Sequence, residues 1–463
     1  MSEEIKYYPL NASQKVITLS ERLVGQTYSN LCIMINYEQD DIDPEIMEKA
    51  VNLAIDRCPS TRLRRHDFKD GKKKIIKQYF VEEPETKCEC VSFKSDDKMY
   101  KYINKLVRKP FPNKYQDCDL YKIYLVKKAD GRYSLLTCFY HFIADAYAII
   151  KFFNDVTDIY KALKTNTEMP EPFLPLLPAY QEVWDYETSE KRQKDIEFWK
   201  EFYRSRPAPQ FATLNGFKNK YTYIPGKKYG NSVSIFNTKA VQTNYKISKE
   251  LNEKVDAFAI QNGFSSKVIY MLGVKNWLSL NTDMTEEFLF QNLSANRTKK
   301  KFAKTGGTFA DNLPLYLDAK NSMTFLEACR YTAETEYQIM KHGQSLQEDF
   351  NPFIEESIGL DKMIDKGWIL GSSGIIFTYQ PFLSRESYLK TSTERFTSGK
   401  SPAPIYMTIM PADNYSGEMN INYEYLTKIH KEEDIAEFHN YLIKFLDKAT
   451  SNPEMTLTEL MNV

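Results

Sequence analysis

Apolar positions along the chain fall into two alternating periods. Asn30–Tyr37 (NLCIMINY) is a short, β-rich apolar run, which predicts a buried strand. Asp43, Pro44 and Glu45 then open a helix, with an Asp N-cap, proline in the first turn and an early acid, and Ile46, Ala50, Leu53 and Ala54 share one face. The same succession returns at Arg132–Tyr140 (RYSLLTCFY), which is strand-like, followed by Ala146–Leu163. There Ile149, Ile150, Phe153, Val156 and Tyr160 lie at helical spacing. The segment His141–Asp145 is thereby predicted at a strand-to-helix junction.

Beyond it, the proline-rich stretch Met169–Pro178 (MPEPFLPLLP) marks a composition shift and a crossing between lobes. A helix-like stretch includes Glu187–Tyr203, and the polar, Gly/Lys/Tyr-rich Asn215–Ser234 predicts a hairpin or loop. Ser248–Asn262, Ser265–Leu280, Thr324–His342 and Glu432–Ala449 read as helices. Glu287–Leu293, Gly374–Tyr379 and the alternating Glu418–Tyr425 read as strands. Strands interleaved with helices throughout predict a mixed α/β architecture, and the likeness of the two halves suggests two similar lobes.

Composition narrows the function classes. A length of 463 residues gives a soft prior of about three domains. Sixty-two basic residues balance 62 acidic ones, which argues against a general nucleic-acid surface, though not against a local basic patch. Only 17 glycines disfavour Gly-rich phosphate loops. The seven cysteines are an odd number and mostly scattered in apolar stretches, as in a reducing compartment. Cys88 and Cys90 form a close pair, but with no second pair or nearby His a metal site is not expected. The start MSEEIKYYPL lacks the pattern of a secretory leader, and no apolar run approaches the roughly 18 residues of a membrane span, so a cytoplasmic location is expected. No P-loop, HExxH, CxxC, GxSxG or GxGxxG pattern occurs; the GSSG at Gly371 is too tight, and Gly306-Gly307 alone reads as a turn.

Among five histidines, four have bland settings: His66 after a basic run, His342 at a helix end, His430 and His439 beside or within the last helix among charges. His141 differs, because it leaves an apolar strand four residues before Asp145. Two readings stand. One is a core histidine followed by an Asp helix cap, and spacing alone favours it. The other is a general base, since an imidazole titrating near neutrality can accept a proton from a hydroxyl or amine.

The chain as a whole resembles the condensation-domain superfamily of acyltransferases, which includes nonribosomal-peptide condensation domains, chloramphenicol acetyltransferase, and alcohol and polyketide-ester acyltransferases. The family motif HHxxxDG is matched by Tyr140-His141-Phe142-Ile143-Ala144-Asp145-Ala146, with Tyr140 in place of the first His and Ala146 in place of the Gly. Tyr8–Gln14 (YPLNASQ) is similar to "YPLTxxQ", Arg57–Arg62 to "RHPxLR", Asp195–Lys200 to "DxxYW" and Asn296-Arg297 to "GR". Gly307–Leu315 is similar to "GxFVNTLPL" and Ile421–Glu424 to "hxYD". The order of these pieces, more than any one of them, carries the resemblance.

The resemblance implies two chloramphenicol-acetyltransferase-like lobes in a V with a tunnel between them, divided here as 1–175, a connecting segment 176–235, and 236–463. It implies acyl transfer from a thioester, either acyl-CoA or an acyl-phosphopantetheine on a carrier protein, to a small alcohol or amine. His141 would be the general base and Asp145 a structural residue paired with an Arg, for which Arg297 is the candidate. Ala146 would border the acceptor channel, while Thr378 and Tyr379 are the tunnel and oxyanion candidates. Cys138 is set aside as a nucleophile, because three residues along a strand would place it on the face opposite His141. No tightly bound cofactor, metal or nucleic acid is implied, and a monomer is expected. No carrier-like segment follows the last helix, which favours a discrete enzyme. A non-catalytic docking protein on the same fold is the competing reading. The lysines at 299–301 and 304 could meet CoA phosphates or an acidic carrier, but read better as a solvated loop.

Overall fold

The structure is a computed structural model, which describes residues 5–71, 73–207, 212–216, 238–297, 299–358, 374–381 and 387–463. In chain order the strands are β1 (Asn30–Tyr37), β2 (Leu63–Asp70), β3 (Lys73–Phe80), β4 (Glu89–Ser92), β5 (Tyr121–Lys127), β6 (Tyr133–Tyr140) and β7 (Ala240–Ile247). These are followed by β8 (Phe288–Ser294), β9 (Asp311–Leu317), β10 (Ile375–Tyr379), β11 (Thr391–Phe396), β12 (Ile405–Pro411) and β13 (Met419–Leu426). Two large sheets result, ordered β11-β1-β6-β5-β4 and β7-β13-β12-β10-β8-β9, with β2 and β3 as a separate hairpin. Each sheet has its own apolar core, so the mixed α/β expectation holds and the three-domain prior does not.

The predicted elements form for the reasons read from the sequence. Every residue of β6 after Tyr133 is buried, as a continuous apolar run requires. The Asp43 carboxylate caps Pro44–Arg57 by accepting from Glu45 and Ile46 at 3.1 Å each. The stretch read as one helix through Glu187–Tyr203 is instead two, Leu177–Glu187 and Glu190–Arg204. The break at Thr188-Ser189 allows the Ser189 hydroxyl to cap the second by accepting from the Arg192 N–H at 3.2 Å. Most of the hairpin or loop predicted at Asn215–Ser234, and residues 371–373 of the GSSG, lie outside the described residues.

One strand crosses the division by sequence. β11 belongs to the second half of the chain, yet it pairs antiparallel with β1, with Ile33 opposite Arg395. The six-stranded sheet is close by, because the Gln242 side chain of β7 donates to the Arg395 carbonyl at 2.7 Å. β11 thus joins the two sheets along one edge of the gap between them. His430 and His439, read as lying among charges, are buried, and burial lowers both to about 4.

Candidate active site

The site begins where β6 ends. After Tyr140 the chain turns, with the Ile143 N–H donating to the Tyr140 carbonyl at 3.0 Å and the His141 N–H to the Ser29 carbonyl at 2.8 Å. Distant sequence pieces hold this turn. Asn11 caps the helix Ala12–Val24 and its side-chain amide donates to the Thr308 carbonyl at 3.0 Å. Gln14, one turn on, donates to the Phe142 carbonyl at 3.1 Å. The Asp145 N–H reaches the Gly307 carbonyl at 3.3 Å. Gly307 has φ +84°, and a Cβ there would come within 2.5 Å of Leu176, so glycine serves both the backbone angle and the close approach.

Asp145 caps the helix Ala146–Thr165, accepting from the Ala148 N–H at 2.8 Å, and also accepts from the N–H groups of Phe309 and Ala310 at 2.9 and 3.2 Å. Both of its oxygens lie 3.0 Å from Arg297 Nη2. Arg297 also donates to the Thr305 and Gly307 carbonyls at 3.1 and 3.0 Å, and lies 4.8 Å from the ring centroids of both Tyr147 and Phe309. The two side chains are 1% and 2% exposed. A carboxylate so fully engaged has no lone pair left for proton transfer. Its hydrogen bonds join the His141 turn and the helix start to the segment at 305–310.

His141 is half-buried and lines a cavity of about 180 Å³ between the two sheets. Its Nδ1 lies 3.4 Å from the Thr308 hydroxyl. Burial, aided by the positive charge of Arg395, holds its pKa below the ordinary 6.5, although Asp145 and its own backbone pull the other way. Ala146 also lines the cavity; it is the first helical residue, and its backbone needs no left-handed angle. Thr378 and Tyr379 from β10 and Tyr406 from β12 also line the cavity. The Thr378 hydroxyl donates to the Tyr406 hydroxyl at 3.2 Å. Tyr140 is elsewhere. It is fully buried in the first core, takes a hydrogen bond from Arg65 at 2.6 Å and stacks on Phe142. Cys138 is buried opposite Cys32 in the sheet and does not line the cavity.

Four charged cavity residues were not singled out from sequence: Arg395, Glu424, Asp311 and Lys400. Arg395 comes from β11, Glu424 from β13 and Asp311 from the start of β9. Burial raises Glu424 and Asp311 to about 7 each. The signal for Asp311 was present, an acid where the resembling motif carries Asn; for Arg395 there was none. The lysines at 299, 301 and 304 pair on the surface with Glu182 and Glu171, which favours the solvated-loop reading. Among the described residues no cluster could hold a metal ion, and no helix is long and apolar enough to cross a membrane.

A family model for the condensation domain matches residues 4–463. The chain belongs to the condensation domain family. It is 23% identical over 99% of its length to surfactin synthase subunit 1 of Bacillus subtilis (strain 168), and 20% identical over 98% to surfactin synthase subunit 2 of the same organism. It spans only 12% of the length of each of those relatives. Solved structures agree in fold. The first condensation domain of the calcium-dependent antibiotic synthetase, in complex with a substrate analogue, has a TM-score of 0.77 at 14% identity, over 98% of this chain and 99% of that one. A variant of the starter condensation domain of rhizomide synthetase RzmA, in complex with C8-CoA, has 0.78 at 15%, over 98% and 97%. Condensation domains in general are acyl-transferring, amide-forming enzymes.

Proposed function

We propose that the chain transfers an acyl group from a thioester to an amine or alcohol in the cavity between the sheets, with His141 as general base. The observation that carries this reading is that His141 opens on that cavity while its motif partner Asp145 is wholly engaged by Arg297 and backbone amides. With Nδ1 against Thr308, Nε2 is the nitrogen left for substrate. The acceptor's N–H or O–H proton passes to His141 as its lone pair attacks the thioester carbonyl carbon. The tetrahedral intermediate then collapses, the C–S bond breaks, and the imidazolium returns the proton to the leaving thiolate. The Thr378–Tyr406 hydroxyl pair is the candidate donor to the intermediate's oxyanion. Holding two substrates in one cavity supplies part of the rate by orientation.

The donor thioester is acyl-CoA or an acyl group on a carrier protein's phosphopantetheine; a complex of the RzmA domain with C8-CoA supports the first. Assaying wild type and His141→Ala against a panel of CoA and phosphopantetheine thioesters tests the proposal. Transfer by wild type and its loss in the variant are expected. Equal transfer by both would remove His141 from the reaction. Absence of transfer by wild type with every donor would leave the non-catalytic docking reading.

A further inference from the structure

The proposed reaction uses His141 and its supports, but not the strongest charge facing them. Arg395 stands on β11 and lines the cavity together with Thr393 and Phe396 of the same strand and Thr397 just beyond it. Its Nη1 donates to the Thr408 hydroxyl at 2.8 Å, and its guanidinium lies 5.9 Å from the Tyr406 ring centroid. Among the described residues no carboxylate stands within ion-pair distance of it, and Glu424, the cavity acid that feels its charge, is raised by burial to about 7 and so held partly protonated near neutral pH. Arg297, by contrast, has both terminal nitrogens taken up by Asp145 and carbonyls, and cavity-lining Lys400 donates to the Val24 carbonyl at 3.1 Å. A guanidinium cannot shed its proton to escape a half-buried site, so it needs an anion or water. Its planar fork fits a carboxylate with two parallel hydrogen bonds. The cavity that holds both it and His141 is also lined by Ile17, Leu31, Ile33, Ile150 and Phe153. That is the setting for an apolar body ending in an acid, rather than for a strongly hydrated phosphate.

We infer that Arg395 is a specificity residue, which reads a free carboxylate on the substrate that reaches His141. This deepens the acyl-transfer reading by naming a substrate class. The carboxylate has two possible sources: an amino or hydroxy acid acceptor whose own carboxyl is free, or an acyl donor with a second, distal carboxylate.

Binding, measured by calorimetry without turnover, tests the inference in two arms. The acceptor arm compares leucine with leucinamide, and the donor arm compares glutaryl-CoA with pentanoyl-CoA. In one arm wild type is expected to bind the acid at least about tenfold more tightly than its uncharged analogue, in keeping with a charge-assisted bidentate contact. Arg395→Gln is expected to abolish that ratio while binding the uncharged analogue as wild type does. Arg395→Lys, which keeps the charge without the fork, is expected to retain part of the ratio and covers the case in which the Gln variant does not fold. The arm that shows the preference identifies the source. Equal binding of acid and analogue in both arms, no binding in either, or a preference that survives in a folded Arg395→Gln would overturn the inference. His141→Ala is expected to keep the wild-type preference, so loss of the acyl-transfer reading would leave this result legible.

Discussion

Tyr140 and His141 are adjacent in sequence but face different surroundings, one the first core and one the cavity. Replacing His141 by Ala is expected to lower the transfer rate by about 10²- to 10⁴-fold with little change in the unfolding midpoint, since general-base groups contribute on that scale. Tyr140→Phe should do the reverse. It leaves the buried Arg65 without its 2.6 Å partner, so a loss of about 1–3 kcal/mol in denaturant titration is expected, with the rate per folded molecule unchanged. A large drop in that rate would place Tyr140 in the reaction after all. The His141 environment also sets a pH profile. Only the neutral imidazole accepts a proton, and burial with Arg395 nearby keeps it neutral below the ordinary 6.5. The rate should therefore rise with pH and reach its plateau with a midpoint below 6.5, and a midpoint above 7 would contradict that environment. At this scale the His141, Asp145 and Arg297 positions were legible because each falls in a motif with a fixed place along the chain. Arg395 was not, because its relation to His141 arises only when β11 is brought to the same cavity; Glu424 falls in the matched piece Ile421–Glu424, but its place at the cavity likewise appears only in the fold.

Among elements, the turn after β6 and the Ala146–Thr165 helix depend on one buried ion pair. Asp145→Ala leaves Arg297 uncompensated in a site where both side chains are almost wholly buried. A loss of about 3–5 kcal/mol by urea titration is expected, and a fully stable, active variant would show that the pair is dispensable. Most of the longer helices and the strands β1, β6, β8, β10 and β13 were readable, while the other strands were not named. Long apolar runs such as β1 and β6 and the helices with Asp, Ser or Thr caps formed near their expected bounds, because local pattern and burial agree there. β11 was not read. Its sequence TSTERF has no apolar stripe, every residue in it is only partly buried, and its neighbour β1 lies more than 350 positions earlier. Pairing at that separation leaves no local trace.

For the whole molecule, the two cores make the 463 residues a pair of lobes around one cavity, and the acids at that cavity tie its chemistry to folding. The Asp311 carboxyl is pushed from 3.8 to about 7, chiefly by burial. Between roughly pH 4 and 7 the native chain therefore holds a proton that the unfolded chain has released, so this residue's contribution to stability falls as pH rises through that window. Asp311→Asn lacks this loss. Its melting temperature is expected to gain on wild type as pH rises from 4 to 7, and a constant difference would mean that Asp311 is already ionised when buried.

β11 has a consequence for the order in which the protein can be made. A ribosome delivers β1 and β6 first, yet the outer edge of β1 stays unpaired until residues near 391, more than 350 positions later, emerge. Until then the nascent chain presents an open strand edge, the kind of surface on which chains misassociate. The cavity wall that holds Arg395 does not yet exist either. Closure of the edge and arrival of Arg395 at the cavity are thus one late event, and a chain truncated before β11 would lose both together.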